Sequence, residues 1–362
     1  MTQQASSTPA APRPVIASAD ALKRFASEMF VKAGAPAAQA GVIADVLVWA
    51  NLRGMDTHGV TRIPRYLEII AAGDMNPNPA MMVTDETPAM VQIEADRAIG
   101  AVGMSFAMDA AIKKAKIAGI GLATVRSTTH AGAIGYYTLM AAHHDMVGIA
   151  MTSSWANMAY HGARAAGAST NPLSIAVPGG RNGPIVLDMA TGIVALGKLV
   201  QARKNKTPIP PGWALNKQGL PTTDPAEAHI PLPMSGAKGS GLSLMIELIT
   251  SVLVANPLLS ESIEGTELGK RHRQNGLVLA IDISRFGDPA AYAAEVERLV
   301  RDIKGLPVDP DTADAAGILM PGERGEAMLQ KRSRDGVPIP PAIYQELKAA
   351  AEKASVTMFD QA

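Results

Sequence analysis

The chain of 362 residues contains no cysteine, which excludes disulfide frameworks, thiolate metal sites and cysteine nucleophiles at once. It also lacks net charge. Lys plus Arg and Asp plus Glu both total 33, so no field draws the protein to nucleic acid or to an anionic membrane surface. No stretch supplies the ~20 uninterrupted apolar residues that cross a bilayer, because Lys, Asp, Gly or Pro interrupts each candidate. Residues 1–17, MTQQASSTPAAPRPVIA, have three prolines, one arginine and no continuous apolar run; they lack the h-region of a secretory signal and read as a flexible tail. Three further signatures are missing: G-x-G-x-x-G, G-x-x-x-x-G-K-[ST] and H-E-x-x-H. A standard Rossmann cofactor site and a P-loop are therefore unsupported, and no metal site is expected. The expectation is a soluble, cytoplasmic protein whose partners are small molecules, with no nucleic-acid or membrane partner.

The apolar content of 47% is enough to bury one large core or two moderate ones, and the length predicts two lobes. From Ser18 the pattern is helical to about Lys32, with Ser18 as cap and Gly34 as stop. Pro36 opens a second helix to about Leu52. RGMDTHGVTR reads as a loop, and a third helix covers about Ile63 to Ala72. The polar stretch Asp74 to Pro88 reads as a connection, which sets a boundary near residue 90. Beyond it short β-type runs alternate with helical ones, an α/β layout. Strands are predicted at Met90–Ile93, Gly121–Val125, Val147–Thr152, Ser174–Val177, Ile185–Met189 and Leu277–Ile283. Helices are predicted at about Val102–Ile117, Gly132–His144, Ile193–Arg203, Leu242–Val254 and Ala290–Ile303. From Gly305 the chain is mainly helical.

Two of the seven histidines stand in unusual company. His58, in Arg53-Gly54-Met55-Asp56-Thr57-His58-Gly59, follows a helix that can aim it, with Arg62 and Arg65 nearby. An imidazole that exchanges a proton near neutrality, beside a guanidinium that grips a carboxylate, is what reversible reduction of a 2-oxo acid requires. A loop-stabilising histidine is the other reading. His130, in Ser127-Thr128-Thr129-His130-Ala131-Gly132, lies between a strand end and a helix start, where ligands collect in α/β sheets, although it can equally cap that helix. His143 and His144 close a helix, where a cation is favoured, and read as structural. His229 and His272 show no evident partner.

Gly236-Ala-Lys238-Gly239-Ser240-Gly241 leads straight into LSLMIELITSVLV. Glycines that let backbone approach a ligand, free N–H groups at a helix start and one ammonium together suit a phosphate. A glycine-rich turn packed under the helix is the alternative. The run Ser153 to Gly162 mixes hydroxyls, an amide and aromatics that can line a pocket, and Asp188 closes an apolar strand where it is either buried with a partner or capping.

Taken in order, DTHGVTRIPRY, THAGAIGYYTLMAA, GIAMTSS, STNPLSIAVP, LDMATGIVALGK, IPPGWALNKQGLPTTDP, GAKGSGLS and LMPGE resemble the type-2 malate/L-lactate dehydrogenase family over roughly residues 20 to 330. That family includes ureidoglycolate dehydrogenases, diketogulonate reductases and piperideine-2-carboxylate reductases. The resemblance implies an α/β, non-Rossmann fold with a largely antiparallel sheet in a cofactor domain at 91–305. It implies a mainly helical substrate and dimerisation domain at 18–90, completed by 306–362, and a homodimer. It also implies hydride transfer between NAD or NADP and a small 2-hydroxy or 2-oxo acid, with cyclic-imine reduction or an inactive binding protein of the same fold as alternatives. Position by position, it assigns catalytic roles to His58, His130 and Asp188. Substrate contacts fall on Ser154 and Thr57, with Arg53 or Arg62 as the carboxylate holder read from charge. Cofactor contacts fall on Ser169, Thr170, Asn171, Pro172, Leu173, Ser174, Ile175, Lys238, Gly239, Gly322, Glu323 and Arg324. The chain departs from the family pattern at Thr57, Thr129, Ala131 and Tyr160-His161-Gly162. Ala131, in place of a common aromatic, suggests room for a ring. Arg203, Lys204 and Lys206 form either a seat for a 2′-phosphate or a solvated helix end.

Overall fold

A computed structural model of the protein describes residues 13–311, 314 and 316–360. Helix α1 (Ala19–Lys32) starts where the Ser18 hydroxyl accepts the Ala21 N–H at 3.2 Å, satisfying a donor the helix cannot use itself. It buries Leu22, Phe25, Ala26, Met29 and Phe30, the stripe that a 3.6-residue period lays on one face. Helix α2 (Ala37–Leu52) follows Pro36 and is buried along most of its length. A double turn then carries the chain through residues 56–62 into α3 (Ile63–Ala71).

Of the expected tail, residues 1–12 lie outside the described residues. Val15–Ala17 are not tail but a strand, β1, paired antiparallel with a late strand at Val337–Ile339, with Val15 opposite Ile339. Three residues are too few to show alternation, and the partner is remote in sequence. The stretch read as a connection likewise contains β2 (Met82–Glu86), exposed throughout and without the half-buried pattern that marks a strand.

The elements that follow are β3 (Met90–Glu94), α4 (Gly100–Ala118), β4 (Ile120–Thr128), α5 (Gly135–Ala142) and β5 (Met146–Ser153). A short hairpin, β6 (Met158–Ala159) with β7 (Ala166–Ala168), precedes β8 (Leu173–Val177), β9 (Ile185–Met189) and α6 (Leu196–Asn205). Three two-residue strands, β10 (Ala214–Leu215), β11 (Pro221–Thr222) and β12 (Ile230–Pro231), form a small sheet beside α6. It has its own core of Val194, Leu199, Ile209, Ala214 and Ala228. Helix α7 (Ala237–Glu247) starts five residues earlier than the sequence indicates and widens into a π turn at Leu248–Val252. Then come α8 (Leu259–Glu264), β13 (Gln274–Asp282), α9 (Pro289–Lys304), α10 (Glu323–Asp335), β14 (Val337–Ile339) and α11 (Pro341–Ala354).

The central sheet has seven strands in the order β2-β3-β4-β13-β5-β8-β9. Every neighbouring pair is antiparallel except β3 with β4, so the sheet is largely antiparallel, as the resemblance implies. Strand β13 is buried at successive positions, which means that both of its faces are covered. The main core runs without a break from α1 and α2 through α4 to β4 and β13, and takes in β14 and α11. Among the described residues no helix is long and apolar enough to cross a membrane.

Candidate active site

Two short 3-10 turns, Asp56–His58 and Val60–Arg62, sit between α2 and α3. Asn51, at the end of α2, grips them at both ends. Its Nδ2 donates to Asp56 Oδ1 at 2.7 Å, and its Oδ1 accepts the Val60 N–H at 2.8 Å. Gly59 is required there, because a Cβ would lie 2.1 Å from the Asn51 Oδ1. His58 leaves this turn with its Nδ1 3.0 Å from the Thr57 hydroxyl.

His130 arrives from the opposite direction, two residues past the end of β4, where Thr128 and Thr129 both bond the Ala98 carbonyl. The two imidazoles meet in a stack, 5.7 Å between centroids and 21° between planes. Their meeting is thus a property of the fold, made by a helix-terminal turn and a strand end. At His130 the Gly132 N–H lies 3.3 Å from Nδ1 and the Tyr66 hydroxyl 2.6 Å from the same atom. A backbone N–H only donates, so Nδ1 presents its lone pair and the ring proton sits on Nε2.

Burial, and then the charge of Arg62, lower the pKa of His58 from 6.5 to about 4. The same two causes, with His58 and His272 adding to them, hold His130 well below the usual histidine value. Both rings are therefore neutral near pH 7. Burial pushes the Tyr66 phenol up to about 12, against the pull of Arg62. The consequence for stability has a definite sign. Between pH 6.5 and about 4 the unfolded chain binds a proton at position 58 that the folded chain refuses. Stability is thus lost as pH falls through that window, by roughly 3 kcal/mol at ~1.36 kcal/mol per pK unit, and the loss levels off below it. His130 acts in the same direction. Asp188 acts in the other, since burial raises it from 3.8 to about 6 and its contribution fades as pH rises through that range. Glu247, raised by burial, acts with Asp188, and His272, lowered by burial, acts with the other two imidazoles. With three groups against two, the thermal midpoint should rise from about pH 4 to 6.5, and His58→Phe should flatten that rise. A midpoint that falls over the interval would contradict the assignment.

Arg62 makes one hydrogen bond among the described residues, from Nε to the Thr57 carbonyl at 2.6 Å. The rest of its guanidinium is uncommitted and bears on both histidines. Arg53 differs. Its Nη1 pairs with Glu326 at 2.9 Å, its Nη2 bonds the Gly322 carbonyl at 2.9 Å, and it lies 5.3 Å over the Trp49 ring. Asp188 accepts the Gly135 N–H at 2.9 Å, capping the start of α5, and Arg53 partly offsets its burial. Among the described residues no hydrogen bond joins Asp188 to either imidazole, so its local role is the cap.

The residues expected near the cofactor form one wall at the ends of β5 and β8. Ser154 bonds Ser169 hydroxyl to hydroxyl at 2.7 Å, and its N–H donates to Asn171 Oδ1. Asn171 in turn donates to the Ser243 carbonyl, and the Ser243 hydroxyl donates to the Ser169 carbonyl at 2.6 Å, which ties the wall to α7. The Thr170 N–H donates to Asn157 Oδ1, and Ser174 is buried against Thr138. Pro172, Leu173 and Ile175 are half-buried beside them. At the start of α7, Lys238 is exposed, and among the described residues the Ala237 and Lys238 N–H groups donate to no acceptor. Two free amides and an ammonium fit a phosphate.

Gly239 is packed under the helix, since a Cβ there would lie 2.4 Å from the Met234 carbonyl and 2.8 Å from that of Thr191, whereas Gly241 has open space. Gly239→Ala should therefore cost about 1–3 kcal/mol in a denaturant unfolding curve. Gly241→Ala should stay within about 0.5 kcal/mol of the wild type. Equal stability of the two variants would contradict the packing role. The third expected segment, Gly322–Arg324, opens α10. Gly322 adopts φ +90° with a Cβ position 2.9 Å from the Val186 carbonyl, Glu323 pairs with Lys304, and Arg324 with Asp314.

Sequence reasoning missed Tyr66, whose place on an apolar helix face reads as core. It also left His272 without a partner. The Arg65 guanidinium lies 2.8 Å from His272 Nε2, and Trp155 stands edge-on to the same ring at 5.4 Å, which brings the loop that carries Ser154 beside α3. His229 bonds the Glu227 carbonyl. Ala131 is 2% exposed, and a Cβ on Gly100 would lie 2.5 Å from its Cα. The space freed by a small residue there faces the core, so it is no sign of a wider pocket. Tyr160 and His161 line, with Pro233 and Gly236, a hollow of about 310 Å³ at the start of α7. Arg203 donates to the Pro225 and Ala228 carbonyls and Lys204 pairs with Glu346, so two of the three basic residues are held structurally.

A family model described as malate/L-lactate dehydrogenase matches residues 17–348. The L-sulfolactate dehydrogenase of Methanocaldococcus jannaschii is 35% identical over 341 residues, covering 93% of this chain and 97% of that protein. The NAD(+) ureidoglycolate dehydrogenase of Escherichia coli is 30% identical, with 91% and 94% covered. The solved structure of malate dehydrogenase from Pyrococcus horikoshii matches with a TM-score of 0.85 at 31% identity, covering 99% of this chain and all of that one.

Proposed function

The chain belongs to the malate/L-lactate dehydrogenase family, and from that premise we propose that it interconverts a small 2-hydroxy acid of malate or lactate type and its 2-oxo acid, with NAD or NADP. The observation that carries the proposal is the stacked histidine pair beside a guanidinium with free donors. When bound, the nicotinamide cofactor supplies a hydride to the carbon of the C=O group. Arg62 takes the substrate carboxylate, because Arg53 is already held by Glu326 and Gly322. A carboxylate on Arg62 also offsets the charge that holds both imidazoles unprotonated, so substrate binding raises their proton affinity at the moment a proton is needed.

With the substrate carboxylate on Arg62, His130 takes a second proton at Nδ1 by way of the Tyr66 hydroxyl, which draws its own replacement from solvent, and gives Nε2–H to the substrate oxygen as negative charge develops there, returning to a neutral ring. In the oxidative direction the steps reverse, and the ring protonated at Nδ1 accepts the alcohol proton at Nε2. His58 packs against His130, excludes water from it and adds a second neutral donor or acceptor. Lys238, with the free amides at the start of α7, holds a cofactor phosphate, and the Ser154, Ser169 and Asn171 network shapes the wall behind it.

The proposal takes the enzyme as a cytoplasmic homodimer. Support for the second copy comes from Met245, Leu248, Ile249, Val252 and Leu253, exposed apolar residues at helical spacing along α7 and its π turn. Oxidation of NADH and of NADPH against pyruvate, oxaloacetate and 3-sulfopyruvate tests the activity. Turnover with at least one of them is expected, and none with any would overturn the reading.

A further inference from the structure

The histidine turn is clamped by a residue from the far end of the chain. Arg332, on α10, makes a two-pronged ion pair with Asp56, Nη1 to Oδ1 at 2.6 Å and Nη2 to Oδ2 at 3.0 Å, and also donates to the Asn51 carbonyl. Its side chain is 12% exposed, against 43% for Asp56. Asp56 opens the turn that His58 closes, and its Oδ1, which meets Arg332 Nη1, also accepts from Asn51 Nδ2. The same helix carries Glu326, paired with Arg53, and starts at Gly322, whose carbonyl holds Arg53 as well. One rigid element thus fixes the turn and its neighbouring arginine through charge-assisted bonds at several points.

We propose that Arg332, acting through Asp56, is a positioning residue that holds His58 in its stack on His130. The inference rests on the reading that His58 takes part in the site. A surface ion pair is worth little by itself, but a fork that presets the direction of a buried ring acts on geometry, where displacements of about 1 Å cost up to ~10²-fold in turnover. Loosening the turn admits water to His58 and lets the ring leave its partner.

The test compares Arg332→Met and Asp56→Asn in two backgrounds, wild type and His58→Ala, with the 2-oxo acid of highest turnover from the panel above. Alone, each variant should lower kcat about 10- to 100-fold with KM changed less than about threefold, and the double variant should be no worse than either single one. In the His58→Ala background neither should lower kcat further. An equal loss in both backgrounds, or no loss in the wild type, overturns the positioning role. If His58→Ala itself keeps full turnover, the reading of the site fails instead. A second readout needs no substrate. The His58 imidazole resonance, identified by its absence in His58→Ala, should titrate near pH 4 in the intact protein and move up toward 6.5 in Arg332→Met and in Asp56→Asn. An unmoved midpoint in both variants contradicts the inference.

Discussion

His130→Ala is expected to lower kcat by about 10²- to 10⁴-fold, the range for loss of a positioned proton donor. The effect should fall on kcat more than on KM, since Nε2–H meets charge that exists only as the reaction proceeds. The tautomer is set by two donors on Nδ1, one of which, the Gly132 N–H, cannot reverse. Removing one of those two donors therefore has a lesser consequence of the same kind. Tyr66→Phe leaves the Gly132 bond in place and takes away the hydroxyl that replaces the proton, so its loss of kcat should be smaller than that of His130→Ala. Steady-state kinetics of both variants decide the point. Full turnover in His130→Ala removes His130 from the chemistry and shifts the proton role to His58.

Arg62→Ala is expected to cost about 2–5 kcal/mol in kcat/KM, the range for truncating one partner of a buried, hydrogen-bonded charge pair. At ~1.4 kcal/mol per decade this is roughly 30- to several thousand-fold. The loss has a distinguishing companion. Arg62 contributes to the depressed pKa values of His58 and His130, so its removal should shift the acidic limb of the pH profile of kcat/KM upward. Added guanidinium ion should restore part of the rate, because the cavity left behind has the shape of the missing group. Arg53→Ala should instead destabilise the fold, since Arg53 bonds Glu326 and Gly322. If Arg53→Ala raised KM and Arg62→Ala did not, the two arginines would have to exchange roles.

What was legible in the sequence was local. Ser18 and the five apolar residues of α1 announce a capped amphipathic helix within a few turns of chain. His58 and His130 stand out because their neighbours are glycines and hydroxyls rather than core residues. The missing G-x-G-x-x-G correctly pointed away from a parallel Rossmann sheet. What was not legible depends on pairing across long stretches of chain. Strands β1 and β14 exist because three residues at each end find one another, and neither carries a period of its own. Arg332 looks like one of several charges on a polar helix until the fold lays it on Asp56. Tyr66 obeys the spacing of a buried face, and only its hydroxyl's position at His130 gives it another task. Ala131 shows the converse, since a small residue next to a histidine suggests pocket space while the fold buries it in the hydrophobic core.

The central claim is that hydride passes to the carbon next to a carboxylate. The direct measurement uses nicotinamide cofactor deuterated at its transferring carbon, a 2-oxo acid from the panel and mass spectrometry of the product. One deuterium is expected at the former carbonyl carbon of a single 2-hydroxy acid enantiomer, with far less of that labelled product formed by His130→Ala over the same number of minutes. A product carrying no deuterium at that carbon, or a 2-oxo acid recovered unchanged with either cofactor, contradicts it.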